Sequence, residues 1–334
     1  MKKLLSRLLI GLILGVGLYA GFAIYLGVRD IAAELARFAL WRFAPVLALT
    51  FTNYLLRYLK WTLYLRALDI RVAPGRNLTI FLGGLSMTIT PGKIGELLKS
   101  YLLRSAEGVP MTRSAPVVLA ERITDLLALV VLMGAGFIVF RRGELPLLIV
   151  GTVVLVFVAV VSSRRLSLAM VGLVAKLPKV SKLAPKLREL YESTAVLFRP
   201  APFAVASLLS VAAWFCECLG FYLVLDGFGL GASLLLATFI YATTTVGGLP
   251  TPGGLGLTEG GMAALLGYTT KTQAATAGAA TLIIRLCTLW FAVLVGVVAL
   301  LSFRKRVGLA DDAADAMRAE TPAAPPAQKP EADN

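Results

Sequence analysis

The sequence predicts an all-α polytopic membrane protein with about six full transmembrane helices and two re-entrant helical hairpins in an inverted-repeat arrangement. Three observations carry this expectation. Of the 334 residues, 58% are hydrophobic and the mean hydropathy is +0.81, and several apolar stretches reach the length that crosses a bilayer. Two matched sequences, Thr90-Pro91-Gly92-Lys93-Ile94-Gly95-Glu96 and Thr251-Pro252-Gly253-Gly254-Leu255-Gly256-Leu257-Thr258-Glu259, interrupt that apolar sequence. Finally, the net charge of +14 gathers beside the apolar blocks, where Lys and Arg set topology.

Taken in order, Met1-Lys2-Lys3 and Arg7 precede an apolar run from Leu8 to Val28, too long for a signal peptide and expected to stay as the first span. A short polar connection, 29–42, leads to a second span near Pro45–Leu65, with Arg57 and Lys60 placed to snorkel toward water. The block 78–103 holds the first break. Spans follow at Ala115–Phe140, carrying Glu121, Arg122 and Asp125, and at Pro146–Val161. A basic amphipathic stretch, 163–200, suits a helix on an anionic cytoplasmic surface, or a plain positively charged loop. Phe203–Leu225 contains Glu217, 234–268 contains the second break, and Ala274–Phe303 contains Arg285. The Ala-, Pro- and acid-rich residues 304–334 are expected to be a disordered cytoplasmic tail. The whole of 1–303 is expected to form one transmembrane domain, with repeat halves at about 45–140 and 203–303.

Charge selects the topology. If both broken blocks crossed fully, the basic 163–199 stretch would lie opposite the basic N-terminus, against the positive-inside tendency. If each dips in and returns, the N-terminus, 66–77, 104–114, 163–199 and the tail all face the cytoplasm. Three full crossings then separate the breaks, so the breaks enter from opposite faces, the inverted arrangement common in secondary transporters.

Composition narrows the chemistry. No histidine is present, which removes His-based acid–base catalysis and the usual zinc sites. Cys216, Cys218 and Cys287 sit in apolar spans as packing residues. No catalytic residue, metal or cofactor is expected. A nucleic-acid partner is rejected because the basic residues flank membrane segments; membrane lipids and anionic headgroups are the expected partners.

The breaks carry the site. Pro91, Gly92, Gly95, Pro252, Gly253, Gly254 and Gly256 free backbone groups that at membrane depth need protein or water around them. Turn chemistry outside the bilayer would use the same residues, but two copies favour the functional alternative. Arg122 follows Glu96 by 26 residues, and Arg285 follows Glu259 by 26. Lys93, Glu96, Glu121, Arg122, Asp125, Glu217, Glu259 and Arg285 all fall inside apolar blocks, where each unpaired charge costs about 2.5–3.5 kcal/mol. Arg122 and Arg285 are therefore expected to neutralise the motif glutamates or to bind a lipid phosphate beside them. A salt-bridge lattice without a ligand is the alternative. Lys99, at the interface, and Glu217, paired locally, are weaker candidates.

At Pro91–Glu96, Glu121-Arg122 with Asp125, and Pro252–Gly256 with Glu259, the chain resembles the transmembrane region of bacterial lysylphosphatidylglycerol synthases/flippases, over about residues 5–303. The resemblance implies the lipid-translocating half of those proteins without the aminoacyl-transferring domain, in the bacterial inner membrane with both termini cytoplasmic. It leaves the lipid open. The implied function is a flippase whose polar site is Lys93, Glu96, Glu121, Arg122, Asp125, Glu259 and Arg285, with a lipid-biosynthetic enzyme as candidate partner. An intramembrane transferase and a non-catalytic accessory subunit remain alternatives.

Overall fold

The computed structural model describes residues 27–90, 95–137 and 192–303, with Ile13, Gly15, residues 17–21, Ile24 and Thr152 besides. Most of the first expected span, the span Pro146–Val161, most of the basic stretch, the tail, and Pro91, Gly92 and Lys93 of the first break lie outside the described residues.

Every regular element among the described residues is helical. The elements are α1 (Val28–Arg37), a short 3₁₀ turn (Leu40–Arg42), α2 (Phe43–Ala67), α3 (Pro74–Leu85), α4 (Leu98–Glu107), α5 (Met111–Phe137), α6 (Pro200–Gly227), α7 (Leu234–Gly247), α8 (Leu257–Thr270) and α9 (Ala274–Arg285). The last continues through a π-helical turn, Leu286–Trp290, to Phe303. The polar connection expected over 29–42 is instead an amphipathic helix, α1, bent by 80° from the segment that follows. Its charged residues Arg29, Asp30, Glu34 and Arg37 are spaced as an amphipathic helix requires.

Among the described residues two helices, Pro200–Gly227 and Ala274–Phe303, are long and apolar enough to cross a membrane, and the bent pair would supply a third. The 27 residues of α5 reach about 40 Å, but Glu121, Arg122 and Asp125 interrupt their apolar character. Outward-facing residues of the long helices are apolar: Leu55 and Leu59 on α2, Leu208 on α6, and Leu294, Val298 and Leu301 on the last helix are all exposed. Apolar surface outside and charge inside is the arrangement a bilayer demands.

Helix α6 is the central post, packing against α2, α5, α7 and α9. Two large apolar clusters, with two smaller ones beside them, dominate the described core. One joins Trp61, Tyr64, Phe81, Leu103 and Val117; the other joins Val46, Leu129, Phe221, Ile240 and Ile284. Between them α2, α5 and α6 contribute a polar layer of Asn53, Arg57, Lys60, Glu121, Thr124, Asp125 and Ser210, all buried.

Each expected break does separate two short helices that pack on one another: α3 with α4, and α7 with α8. Their 10–14 residues give about 15–21 Å each, short of the hydrocarbon thickness of about 30 Å. The second break touches the residues that lead into the first. A Cβ added to Gly253 would stand 3.1 Å from Ile89 Cα and 3.5 Å from the Thr88 carbonyl oxygen, so only glycine lets the backbones approach this closely, and its φ of +60° favours glycine as well.

Close approach also seats the last helix on the end of α3. A Cβ on Gly296 would lie 2.7 Å from backbone atoms of Leu85 and Ser86, and one on Gly136 would lie 2.8 Å from Phe239 Cα. Substituting alanine at either position should destabilise the protein by about 1–3 kcal/mol through overpacking. Gly260→Ala, where nothing lies within 4 Å, should stay within about 0.5 kcal/mol. Thermal unfolding in detergent, followed by tryptophan fluorescence, checks this ordering.

Candidate functional site

The carboxylates and cations of the polar layer arrive from three helices and the first break. Arg57 and Lys60 lie three apart on α2, and Glu121, Arg122 and Asp125 span one turn of α5. Glu96 sits just past the first break and Lys99 on α4. Gly95 fixes that entry: its N–H donates to Thr90 Oγ1 at 2.7 Å, and the Thr90 hydroxyl donates to the Met87 carbonyl at 2.8 Å.

These seven charges form one continuous network. Arg122 Nη2 lies 2.9 Å from Glu96 and 3.0 Å from Asp125. Lys60 Nζ donates to Asp125 at 2.5 Å and to Ser210 Oγ at 2.7 Å. Lys99 donates to Glu121 at 2.5 Å and stands over the Trp61 and Phe81 rings at 4.8 and 5.4 Å, a second means of stabilising a dehydrated ammonium. Gly84 leaves space for the Lys99 stem, since a Cβ there would lie 2.9 Å from Lys99 Cδ. The snorkelling expected of Arg57 and Lys60 does not occur, because their partners are inside the protein and not at the interface. Lys99 is likewise fully buried and not interfacial.

The second break repeats the Glu–Arg pair in different surroundings. Arg285 Nε donates to Glu259 Oε1 at 2.5 Å, and its Nη2 donates to the Gly253 carbonyl at 2.6 Å. Glu259 also accepts from the Gly256 N–H at 2.6 Å, capping the start of α8, and from the Tyr19 hydroxyl at 2.9 Å. Gly256 there has φ +85°. Glu259 is thus occupied by the protein itself, holding the break, α8 and α9 together. Glu217 lies apart from both pairs and accepts from the Tyr241 hydroxyl on α7 at 2.6 Å. That partner is in another helix, and not local as expected.

A cavity of about 200 Å³ opens where these groups converge. Among the expected residues, Arg122, Asp125, Arg285, Gly253 and Gly254 line it, whereas Glu96, Glu121, Glu259, Gly95, Pro252 and Gly256 do not. The wall also contains Tyr54, Arg57, Trp214, Glu217 and Tyr241. Sequence reasoning passed over Tyr54, Trp214 and Tyr241, because an aromatic residue in an apolar helix gives no separate signal. Arg57 carried one: it is an arginine well inside a span. The π-helical turn after Arg285 adds one residue to the helical register, and Thr288 and Leu289 within it face the cavity. Among the described residues no group of His, Cys, Asp and Glu is arranged to hold a metal.

A helical protein that exposes aliphatic side chains and pairs its charges around an internal cavity is an integral membrane protein with a polar interior site. Within that class, the chain belongs to the family described as the lysylphosphatidylglycerol synthase TM region, which it matches over residues 9–296. It is similar to a UPF0104 membrane protein of Methanothermobacter thermautotrophicus, 25% identical over 323 residues and covering 89% of this chain and 95% of that relative.

The buried pairs predict a stability pattern. Arg285→Met alone strands Glu259 and should cost about 3–5 kcal/mol. The double variant Glu259→Gln/Arg285→Met, which leaves no net buried charge, should recover part of that loss. Thermal midpoints of the four proteins of this cycle measure it; additive losses would show that the two residues do not act as a pair.

Proposed function

We propose that the protein is a lipid translocase that moves a phospholipid or other lipid-linked headgroup across the membrane through the cavity at the two breaks. The observation that carries this reading is the cavity itself: hydrogen-bonding guanidinium groups at membrane depth, reached where two broken helical elements touch. Solute sites in membrane proteins with internal repeats commonly lie at such a meeting point. In this mechanism Arg122 and Arg285 contact the phosphate, and Asp125 balances their charge. Glu96, Glu121 and Glu259 hold the cations in position from behind. The Pro-Gly breaks, which include Pro91, Gly92 and Lys93, act as gates. Gradients or mass action supply the drive, and a lipid-biosynthetic enzyme is the candidate partner that delivers substrate.

The accompanying topology is one domain over 1–303 with six full spans and two re-entrant hairpins in inverted repeat. It sits in the cytoplasmic (inner) membrane with both termini inside, and 163–200 lies on the anionic cytoplasmic surface. The lengths of α3, α4, α7 and α8, each too short to span, support the re-entrant element. Their packing in pairs does so too.

Two experiments test these statements. In proteoliposomes, headgroup-labelled lipid should exchange between leaflets faster with wild-type protein than with Arg122→Ala or Glu96→Gln, by about tenfold or more for Arg122→Ala, in which a charge-assisted contact is lost. Equal rates in folded variants would remove Arg122 and Glu96 from the pathway. In a background without Cys216, Cys218 and Cys287, single cysteines at Arg71 and Pro110 should react with an impermeant thiol reagent from one face. Those at Ser233 and Gln273 should react from the other. Labelling of the Arg71 and Pro110 sites from opposite faces would make the first broken block a full span.

A further inference from the structure

The cavity wall carries two kinds of group: the guanidiniums of Arg57 and Arg122, and the carboxylate of Glu217 with the aromatic residues Tyr54, Trp214 and Tyr241.

Arg57 differs from the other buried cations. Lys60, Lys99, Arg122 and Arg285 each lie within 3.0 Å of a carboxylate oxygen. Arg57 Nη2 stands 3.7 Å from Glu96 and 3.8 Å from Asp125, outside hydrogen-bond range. Its Nε has no hydrogen-bond partner, although the residue is only 5% exposed. A dehydrated guanidinium with unfilled N–H groups in a cavity wall fits a phosphate oxyanion, which its planar fork can grip with two parallel bonds.

Trp214 and Glu217 lie three apart on α6 and so share a face, with Tyr241 donating to Glu217 Oε2 at 2.6 Å. A carboxylate bordered by aromatic rings is the arrangement that attracts an ammonium ion.

One cavity brings both kinds of group together: Arg57, Arg122 and Glu217 all line it. A zwitterion can set its phosphate against the guanidiniums and its ammonium against the carboxylate, so that both of its charges meet a partner at low dielectric. The volume, about 200 Å³, is below the roughly 300–1,000 Å³ of common ligand pockets, enough for a headgroup while the acyl chains remain in lipid.

We infer that the cavity binds the headgroup of a zwitterionic phospholipid, its phosphodiester on Arg57 and Arg122 and its ammonium on Glu217 beside Trp214. This rests on the lipid-handling reading above but does not require transport.

The test is calorimetric titration of the full-length protein in detergent with two short-chain lipids, dihexanoyl phosphatidylethanolamine and dihexanoyl phosphatidylglycerol. Wild type should bind the ethanolamine lipid about tenfold more tightly. Glu217→Gln should bring the ratio near one, and Arg57→Gln should weaken both lipids together. If Glu217→Gln does not fold, Trp214→Leu should shrink the preference severalfold with the charge intact. Equal wild-type affinities, or a preference that survives both substitutions, would overturn the assignment. Glycerophosphoethanolamine binding as tightly as the lipid would reassign the site to a soluble phosphodiester. Preference without leaflet exchange in proteoliposomes sinks the translocase reading alone; exchange without preference sinks this inference alone.

Discussion

The pairing of charges inside the membrane is the constraint on which the rest of this structure depends. Among the described residues nine charged side chains are buried, with Arg122 half-buried beside them, and hydrocarbon offers none of them a partner. Each long helix must therefore present its charges at the height where another helix presents the opposite sign. Lys60 of α2 meets Asp125 of α5, and Lys99 of α4 meets Glu121 of the same helix. Sliding α5 by one turn against α2 or α4 would strand several carboxylates at once. The apolar clusters above and below the polar layer supply cohesion, while the layer fixes register.

Glycine at a few positions makes the pairing geometrically attainable. Gly84 admits the Lys99 stem, Gly253 brings the second break against Thr88 and Ile89, and Gly296 seats the last helix on the end of α3. In lipid, where apolar side chains gain little by leaving their neighbours for one another, such close approach is the main source of helix association. The result places Arg285 where it can hold the second break through the Gly253 carbonyl and through Glu259. That break is thus held by side chains that substitution can release, and not by continuous helix.

The two glutamate–arginine pairs share a spacing but differ in use. Glu96 belongs to an extended lattice with Arg122, Arg57 and Lys99, whereas Glu259 caps a helix and is held by Arg285 and Tyr19. Both glutamates stand behind the cavity, and their arginines line it. The carboxylates set the positions of the groups that face any ligand.

The sequence by itself determined the helical class, the positions of the two breaks and the 26-residue pairing of Glu with Arg, because hydropathy, helix breakers and intramembrane charge are local properties. It also determined the last helix, found over Ala274–Phe303 as expected. It could not show that 29–42 forms a bent amphipathic helix, since that segment's polarity reads equally well as loop. Only the tertiary structure decided that Arg57 and Lys60 turn inward, because a long cationic side chain in a span snorkels or pairs according to what stands opposite. The same holds for Trp214, Tyr241 and Tyr54, whose place in the cavity wall depends on how α2, α6 and α7 are rotated against one another. Charge sets what must be buried together; the packing of neighbouring helices sets which of those groups faces the cavity.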